Sequence, residues 1–494
     1  MALQELRLRP QGHEIAYFLL AVGLTAYYLV TTLYLSAHRL LWFDEILTVH
    51  IARLPHWSTI WSALGHASDT QPPVYYIIVR FSEKIFGQGE LADRLPSAMA
   101  MAIAMLFTFD STRRLTNGLY GLIAVAVLGC SVLPYYGYEA RPYTLFVMFS
   151  AVALWLWIRS GDDSRLSAAL FGLAMFAGGS IHYYFPLSLV PYALWEAIRW
   201  QPWQRPSLKL MAGTAGAIIP VLLFSPLILS FSRQFHDAFW GHPSFWLLAK
   251  SFSDFFPNGL MLLAFVMVCL ALLNIEQTTE QPDAISDTEI LGWLFLSVPI
   301  VGFLIAEAVT KAFAPRYFIG ALPGVAVAFA CCLWRQRQRS RYASVAILAV
   351  LTAWGTANQW QVVRHPKSVD RAGSQAATRR YLSLEKTVHQ QHVKHILFFD
   401  AMPYLEAQYY SKYPEECAMI LLPRDEQPDV HSAHVIMNLS RYDPLQFWHI
   451  DELKQHASDT VLIGPTANTL KALEQSGFTL EVPVTEPWKV AYLH

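Results

Sequence analysis

"EIAYFLLAVGLTAYYLVTTLYL", Glu14 to Leu35, carries no charged residue from Ile15 onward. As a helix rising 1.5 Å per residue it would cover about 30 Å, the thickness of a bilayer's hydrocarbon core. Several further runs of similar character follow. The 494-residue chain is 54% hydrophobic but only 15% charged, where soluble domains carry about a quarter, and its mean hydropathy is +0.31. The sequence therefore reads as an α-helical polytopic membrane protein. The polar, basic start "MALQELRLRPQGHE" and the long run after it do not read as a cleavable signal. A net charge of −1 gives no reason to expect a nucleic-acid partner, and four of the five cysteines fall inside apolar runs, so no disulfide framework is expected.

Apolar spans are read near 15–37, 94–110, 118–134, 142–158, 166–181, 184–198, 210–231, 259–275, 290–309, 316–334 and 342–359, about eleven transmembrane helices. Short cytoplasmic loops collect Lys and Arg. Alternate connections do so here: Arg7 and Arg9; Arg113 and Arg114; Arg159 and Arg165; Arg199, Arg205 and Lys209; Arg335, Arg337 and Arg339. Only "EQTTEQPDAISDTE" lacks a basic residue. This pattern predicts a cytoplasmic N-terminus. It also puts "LWFDEIL", "SDTQPPVYY", "YEARPYTLF", "IHYYF", "APRYF" and the loop 232–258 on one outer face. From about 360 the runs "HILFFDA", "CAMILL", "HVIMNL" and "TVLIGP" alternate with polar stretches such as "NTLKALEQSG". That alternation predicts a small external α/β domain over 360–494, after a transmembrane domain over 1–359.

In "LLWFDEILTVH", Leu40 to His50, Asp44 and Glu45 follow the first span directly. Carboxylates beside hydrocarbon are expensive unless paired or facing a cavity. A helix start favours ionised acids. Two readings fit the pair: an acidic helix N-terminus at the interface, or a general base with its neighbour orienting it or helping to hold a metal. In "SDTQPPVYY", Pro72 and Pro73 suit a first helical turn, which predicts Asp69 near the N-cap of a short surface-lying helix. Arg141 and Arg316, each beside a proline at an outer span end, run against the positive-inside pattern. Their planar forks suit a phosphate, and snorkelling to lipid head groups is the alternative. His182, with Tyr183 and Tyr184, fits a metal ligand, a hydrogen-bond donor to a sugar, or an interfacial residue in an aromatic belt. The histidines of "HQQHVKH", His389, His392 and His395, read as a solvated helix. No P-loop occurs, and "GQGELA" has neither the third glycine nor the preceding strand of a dinucleotide site.

"FDE", "DTQPPVYY", "RLPSAMA", "YEARPYTL", "HYY" and "PRYFIGALP", in this order, resemble the GT-C superfamily of polytopic glycosyltransferases. Within it they look like bacterial glycosyltransferase family 39, the protein mannosyltransferase type, and the related lipid A aminoarabinose transferases. The resemblance covers about 15–335. It implies a GT-C fold with surface-lying helices in the first outer loop. It also implies inverting transfer of a sugar from a polyprenyl-phosphate donor to a glycan, lipid or protein acceptor at the outer face of a bacterial inner membrane. By the same resemblance Asp44 is the catalytic base, Glu45 supports it and Asp69 is the second acid. Arg141 and Arg316 would grip the donor phosphate, while Glu139, His182, Tyr183, Tyr317 and Gln71 would contact substrate. Gln71 stands where many relatives have histidine. Some GT-C enzymes use a divalent cation, for which Glu45, Asp69 and His182 are candidate ligands. The rival class is a transporter or flippase of lipid-linked sugars. Transporters more often show internal repeats and midplane charges, neither of which is visible here.

Overall fold

The computed structural model describes residues 12–159, 164–200, 205–235, 241–257, 285–336, 341–370, 375–390, 394–422, 429–456, 459–463, 473–474, 477–478, 480–481 and 490–493. The chain forms two compact units, one of Met1–Ala37, Gln71–Ser225 and Gly241–His365, the other of His38–Thr70, Pro226–Trp240 and Pro366–His494.

The first unit is helical. Among the described residues, His13–His38, Glu90–Leu115, Asp287–Thr310 and Pro315–Arg335 are long and apolar enough to cross a membrane, and Gly118–Gly129, Tyr143–Arg159, Arg165–Ile181 and Phe185–Ile198 are shorter apolar helices. Leu208–Leu223 lies against Arg165–Ile181 through small residues. A Cβ added at Gly216 would stand 2.1 Å from the Gly172 carbonyl oxygen, so glycine sets this backbone approach.

Two expected spans are not continuous helices. The one expected over 118–134 ends at Gly129 and resumes as a short helix at Leu133–Gly137. The one expected over 210–231 breaks at Phe224, between Leu208–Leu223 and Ser225–Phe235. Pro226 explains the second break, because its ring collides with the carbonyl four residues back. The span 259–275, the basic residues Arg7, Arg9, Arg337 and Arg339, and most of "EQTTEQPDAISDTE" and "NTLKALEQSG" lie outside the described residues.

The second unit holds the helices Phe43–Arg53 and Trp57–Gly65 together with a six-stranded sheet. The strands are β1 (His395–Phe398), β2 (Cys417–Leu421), β3 (Phe447–His449), β4 (Thr460–Ile463), β5 (Leu480–Glu481) and β6 (Val490–Leu493), in the order β3-β2-β1-β4-β6-β5. The first four are mutually parallel and the β5–β6 edge is antiparallel. Helices Ala401–Tyr410 and Val430–Leu439 fall between strands in the sequence, as parallel connections require. Leu397, Ala418, Ile420 and Leu462 pack one core with Phe399, Leu453 and Phe478.

"HVIMNL" is not a strand but the end of the Val430–Leu439 helix, which buries Ala433, Val435, Ile436 and Leu439 and starts on the Asp429 N-cap. A short apolar run fits either structure until a cap decides it. Nor do the spaced histidines share a solvated helix. His389 stacks on Tyr413 with ring centroids 3.8 Å apart, His395 begins β1, and His392 lies outside the described residues.

Candidate functional site

The first unit gathers a cationic, aromatic cluster. Its frame begins at Ser97 of "RLPSAMA". The Ser97 hydroxyl donates to the Arg141 carbonyl at 2.9 Å and lies 3.1 Å from the Tyr75 hydroxyl, while the Ser97 carbonyl accepts from Thr144 Oγ1 at 2.8 Å. One serine thus ties "PPVYY" to "ARPYT" and fixes Arg141, only 2% exposed. Nothing in the spacing of the motifs announced that role.

His182 caps the Arg165–Ile181 helix and opens a tight turn, with the Phe185 N–H donating to the His182 carbonyl at 2.9 Å. Gly178 makes room for the turn: a Cβ there would lie 2.2 Å from the Phe185 ring. The His182 ring stacks on Phe146 at 5.1 Å and meets Tyr317 at 5.3 Å and Tyr143 at 5.9 Å. Tyr317 in turn stacks on Tyr184 at 5.0 Å, and the Tyr184 hydroxyl donates to the Ala312 carbonyl. The Arg316 guanidinium lies 5.8 Å from the Tyr143 ring centroid and 5.9 Å from that of Tyr317, at the outer limit of a cation–π contact.

His182 Nδ1 accepts the Tyr184 N–H at 3.2 Å, which leaves the proton of the neutral ring on Nε2. Burial, reinforced by the positive charges of Arg141 and Arg316, lowers this imidazole to about 3 and keeps it neutral. Nε2 is buried and finds no acceptor among the described residues. Two guanidiniums and a buried N–H donor therefore act on the same place. Of the other expected contacts, Tyr183 is half-buried, and Glu139 and Gln71 are buried in this unit. The Glu139 carbonyl accepts the Arg141 N–H at 2.8 Å. Tyr143 and Phe146 belong to the cluster but were not singled out from sequence, although each sits inside or beside a quoted motif, and Tyr184 was read there only with His182 at an aromatic belt.

The second unit holds the acids. Asp44 and Glu45 occupy the first turn of the Phe43–Arg53 helix, as expected. Their environments differ. Glu45 is fully buried and turns back to accept the Trp42 N–H at 3.1 Å, half of a capping box. Asp44 is only half-buried. Glu45 thus shapes the helix start and Asp44 remains accessible. Asp69 does not cap the following helix: Pro72 holds the N-cap position of Pro73–Phe86, with no side-chain cap. The Asp69 carboxylate instead accepts the N–H of its neighbour Thr70 at 2.6 Å.

His431, on the Val430–Leu439 helix, is a residue the sequence reading missed. Asp429, Asp44 and Asp69 all act electrostatically on its ring, which burial nevertheless shifts down toward the neutral form. That ring packs edge-on against Phe235 at 4.6 Å. Its only sequence signal was the pair His431 and His434 on one helix face. Among the described residues no group of three His, Cys, Asp or Glu is placed to hold a metal.

A family model described as dolichyl-phosphate-mannose-protein mannosyltransferase matches residues 70–229. The curated protein undecaprenyl phosphate-alpha-4-amino-4-deoxy-L-arabinose arabinosyl transferase 2 of Pseudomonas fluorescens is 26% identical over 243 residues, covering 46% of this chain and 39% of that protein. The match thus spans about two fifths of that relative's length. Two crystal structures of ArnT from Cupriavidus metallidurans, one bound to undecaprenyl phosphate and one in the apo state, align with TM-scores of 0.59 and 0.61. Their identities are 11% and 10%, and each alignment covers 98% of both chains. The chain is an integral membrane protein with the GT-C fold, and it resembles the lipid A aminoarabinose transferases and protein mannosyltransferases of that type.

Proposed function

We propose that this protein transfers a sugar from a polyprenyl-phosphate donor to an acceptor hydroxyl at the outer face of the bacterial inner membrane, with inversion and with Asp44 as general base. The N-terminus would face the cytoplasm, and the segment from 360 the periplasm. The observation that carries the reading is the buried His182 Nε2–H, under the charges of Arg141 and Arg316 and without an acceptor among the described residues. A buried N–H donor in a positive potential of this kind is satisfied by an anion. A lipid-linked phosphate brings one without any nucleotide site.

The chemistry follows from the two clusters. The acceptor oxygen attacks the anomeric carbon while its proton passes to the Asp44 carboxylate. The bond from that carbon to the phosphate oxygen breaks with its electron pair, and the charge gathered on the leaving phosphate is met by Arg141, Arg316 and the His182 N–H. Attack opposite the leaving group inverts the anomeric centre. Glu45 keeps the first turn in place, Asp69 supplies the second acid, and Tyr317, Tyr183, Glu139 and Gln71 line the donor.

The test compares purified wild type with Asp44→Asn, each given radiolabelled polyprenyl-phosphate sugars and total membrane lipid extract. Wild type should move label into a new product, and the variant should lose about 10²–10⁴-fold in rate, the range for removing a general base, while still binding donor. Equal product from both would remove Asp44 from the chemistry. Donor translocation across liposomes by both, without transfer, would replace the transferase reading with a transporter.

A further inference from the structure

The Phe43–Arg53 helix that carries Asp44 is held by chain far downstream. At its start, the Phe43 N–H donates to Glu406 Oε1 at 2.9 Å, across 363 positions of sequence. Just before the helix the Leu41 N–H donates to the Tyr410 hydroxyl at 2.7 Å, and Gln375 Nε2 donates to the Leu40 carbonyl. Arg39 Nη2 donates to the Val369 carbonyl at 3.0 Å. Toward the far end, His50 Nδ1 lies 2.5 Å from Asp443 Oδ2. Every one of these partners belongs to the C-terminal segment.

Glu406 stands out because a carboxyl group is an expensive choice for that place. It is fully buried, with its second oxygen accepting from Thr378 Oγ1 at 2.8 Å. A hydroxyl or amide would satisfy the Phe43 N–H at lower desolvation cost. The two oxygens of a carboxyl can meet the Phe43 N–H, one of the orphan donors of the helix start, and the Thr378 hydroxyl at once. The first turn then has its N–H groups apportioned: Trp42 to Glu45 and Phe43 to Glu406. With its neighbours on both sides so fastened, the backbone of Asp44 is fixed.

We propose that Glu406 is a positioning residue for Asp44: by accepting the Phe43 N–H it sets the first turn from which the base projects, and so makes the C-terminal α/β segment part of the catalytic unit. The inference rests on the reading of Asp44 as base. It assigns the segment a role in turnover rather than in donor capture alone. Displacing a base by about 1 Å costs on the order of 10²-fold in rate with little effect on donor affinity.

The groups facing Glu406 also fix the sign of a pH effect. Glu45 comes from the Phe43–Arg53 helix, Thr378 from the Gln375–Gln390 helix, and Asp370 from the preceding turn, itself paired with Arg39 and Arg379. Burial, with Glu45 and Asp370 adding negative charge, raises the Glu406 carboxyl to about 8 from an ordinary 4.5. The native state thus keeps a proton that the unfolded chain releases near 4.5. Between about 4.5 and 8 unfolding therefore releases this proton, so this group's contribution to stability declines as pH rises, and it is constant above about 8. Glu406→Gln has no such proton to lose.

The experiment uses full-length enzyme in detergent: wild type, Glu406→Gln, Glu406→Ala, Thr378→Val and Asp44→Asn. Rates are normalised to donor-binding-competent protein, and melting is followed from pH 4.5 to 9. The expected result is a kcat loss on the order of 10²-fold in Glu406→Ala with donor KM within about threefold. Glu406→Gln should recover most of kcat, since its amide oxygen still accepts the Phe43 N–H. The melting midpoint of Glu406→Gln should also gain on wild type as pH rises from 4.5 to 8 and run parallel above it. Full kcat in Glu406→Ala per competent molecule, with Asp44→Asn dead, would overturn this inference and leave the transferase reading standing. Should Glu406→Ala not fold, Thr378→Val decides: a several-fold kcat loss at unchanged KM supports positioning, and wild-type kcat refutes it. An active Asp44→Asn would sink the underlying reading instead.

Discussion

The cluster of Arg141, Arg316 and His182 and the cluster of Asp44, Glu45 and Asp69 are held in place by different kinds of force. The cationic cluster is held by packing. Rings of Tyr143, Phe146, Tyr184 and Tyr317 surround the polar groups, and Ser97 and Gly178 set the backbone close at hand. The acidic cluster is held by hydrogen bonds reaching across most of the chain, from Glu406, Tyr410 and Gln375 to Leu40–Phe43. An anion site in an apolar surrounding needs few partners, because low polarity strengthens each of them. A base, the role proposed for Asp44, must stay accessible, so its rigidity would come from the backbone beneath it. Asp44 is half-buried, whereas Glu45 of the same first turn, and Glu406, which accepts the Phe43 N–H from the Ala401–Tyr410 helix, are fully buried.

Removing the charge proposed to meet the leaving group should break the cationic cluster most severely. Arg141→Ala should lower kcat/KM by about 10²–10³-fold, the range for losing one preorganised donor to a developing anion. Arg141→Lys should recover little, since a single ammonium does not reproduce a planar fork. Both should weaken donor binding measured directly, whereas Asp44→Asn should not. Equal donor binding by Arg141→Ala and wild type would dissolve the distinction between a phosphate cluster and a base cluster. Arg316→Ala should do less, because Arg316 is half-buried while Arg141 is almost fully buried.

His182 sharpens the same contrast at smaller amplitude. His182→Phe keeps the ring stack on Phe146 but removes the Nε2–H, and should cost about 10–100-fold in kcat/KM, the worth of a hydrogen bond to a charged group. The imidazole is held down to about 3 and is neutral throughout the working range, so deleting it should leave the shape of the pH–rate profile unchanged. An acidic limb near pH 6 that vanished in His182→Phe would show that the ring titrates and that its surroundings are more polar than the packing implies.

These clusters also mark how far the sequence could be read. The charge-free run Ile15–Leu35 and the order of short motifs were enough for a polytopic GT-C fold, because a membrane span and a local motif are both written in contiguous residues. Asp44 and Glu45 at a helix start were legible for the same reason. What Glu45 does there depends on one hydrogen bond, and what Glu406 does depends on a partner 363 positions away, which no periodicity records. Asp69 was read near the N-cap of the following helix, and two prolines signal a first turn without saying which residue caps it; Pro72 itself takes the N-cap position, three residues after Asp69. His431 escaped for a related reason: it is unremarkable on its own helix, and its neighbours Asp44 and Asp69 come from far upstream.

The smallest predicted effect tests the backbone leading to Asp69. The Trp57–Gly65 helix ends in a Schellman turn, with the Ala67 N–H donating to the Leu64 carbonyl at 2.9 Å and the Ser68 N–H to the Ala63 carbonyl at 3.2 Å. The left-handed position of that turn is taken by Ala67, with φ at 59°, where glycine is the usual occupant. Ala67→Gly relieves about 1 kcal/mol of side-chain strain and gives part of it back in unfolded-chain entropy, so a net gain of about 0.5 kcal/mol is expected, read as a small rise in melting temperature. Turnover should not rise with it. Ala67 stands two residues before Asp69, and a stiffer residue there narrows the directions in which that carboxylate can point. A more stable but slower Ala67→Gly enzyme would show that the second acid, like the first, is aimed by its backbone. A more stable enzyme of unchanged rate would confine that device to Asp44.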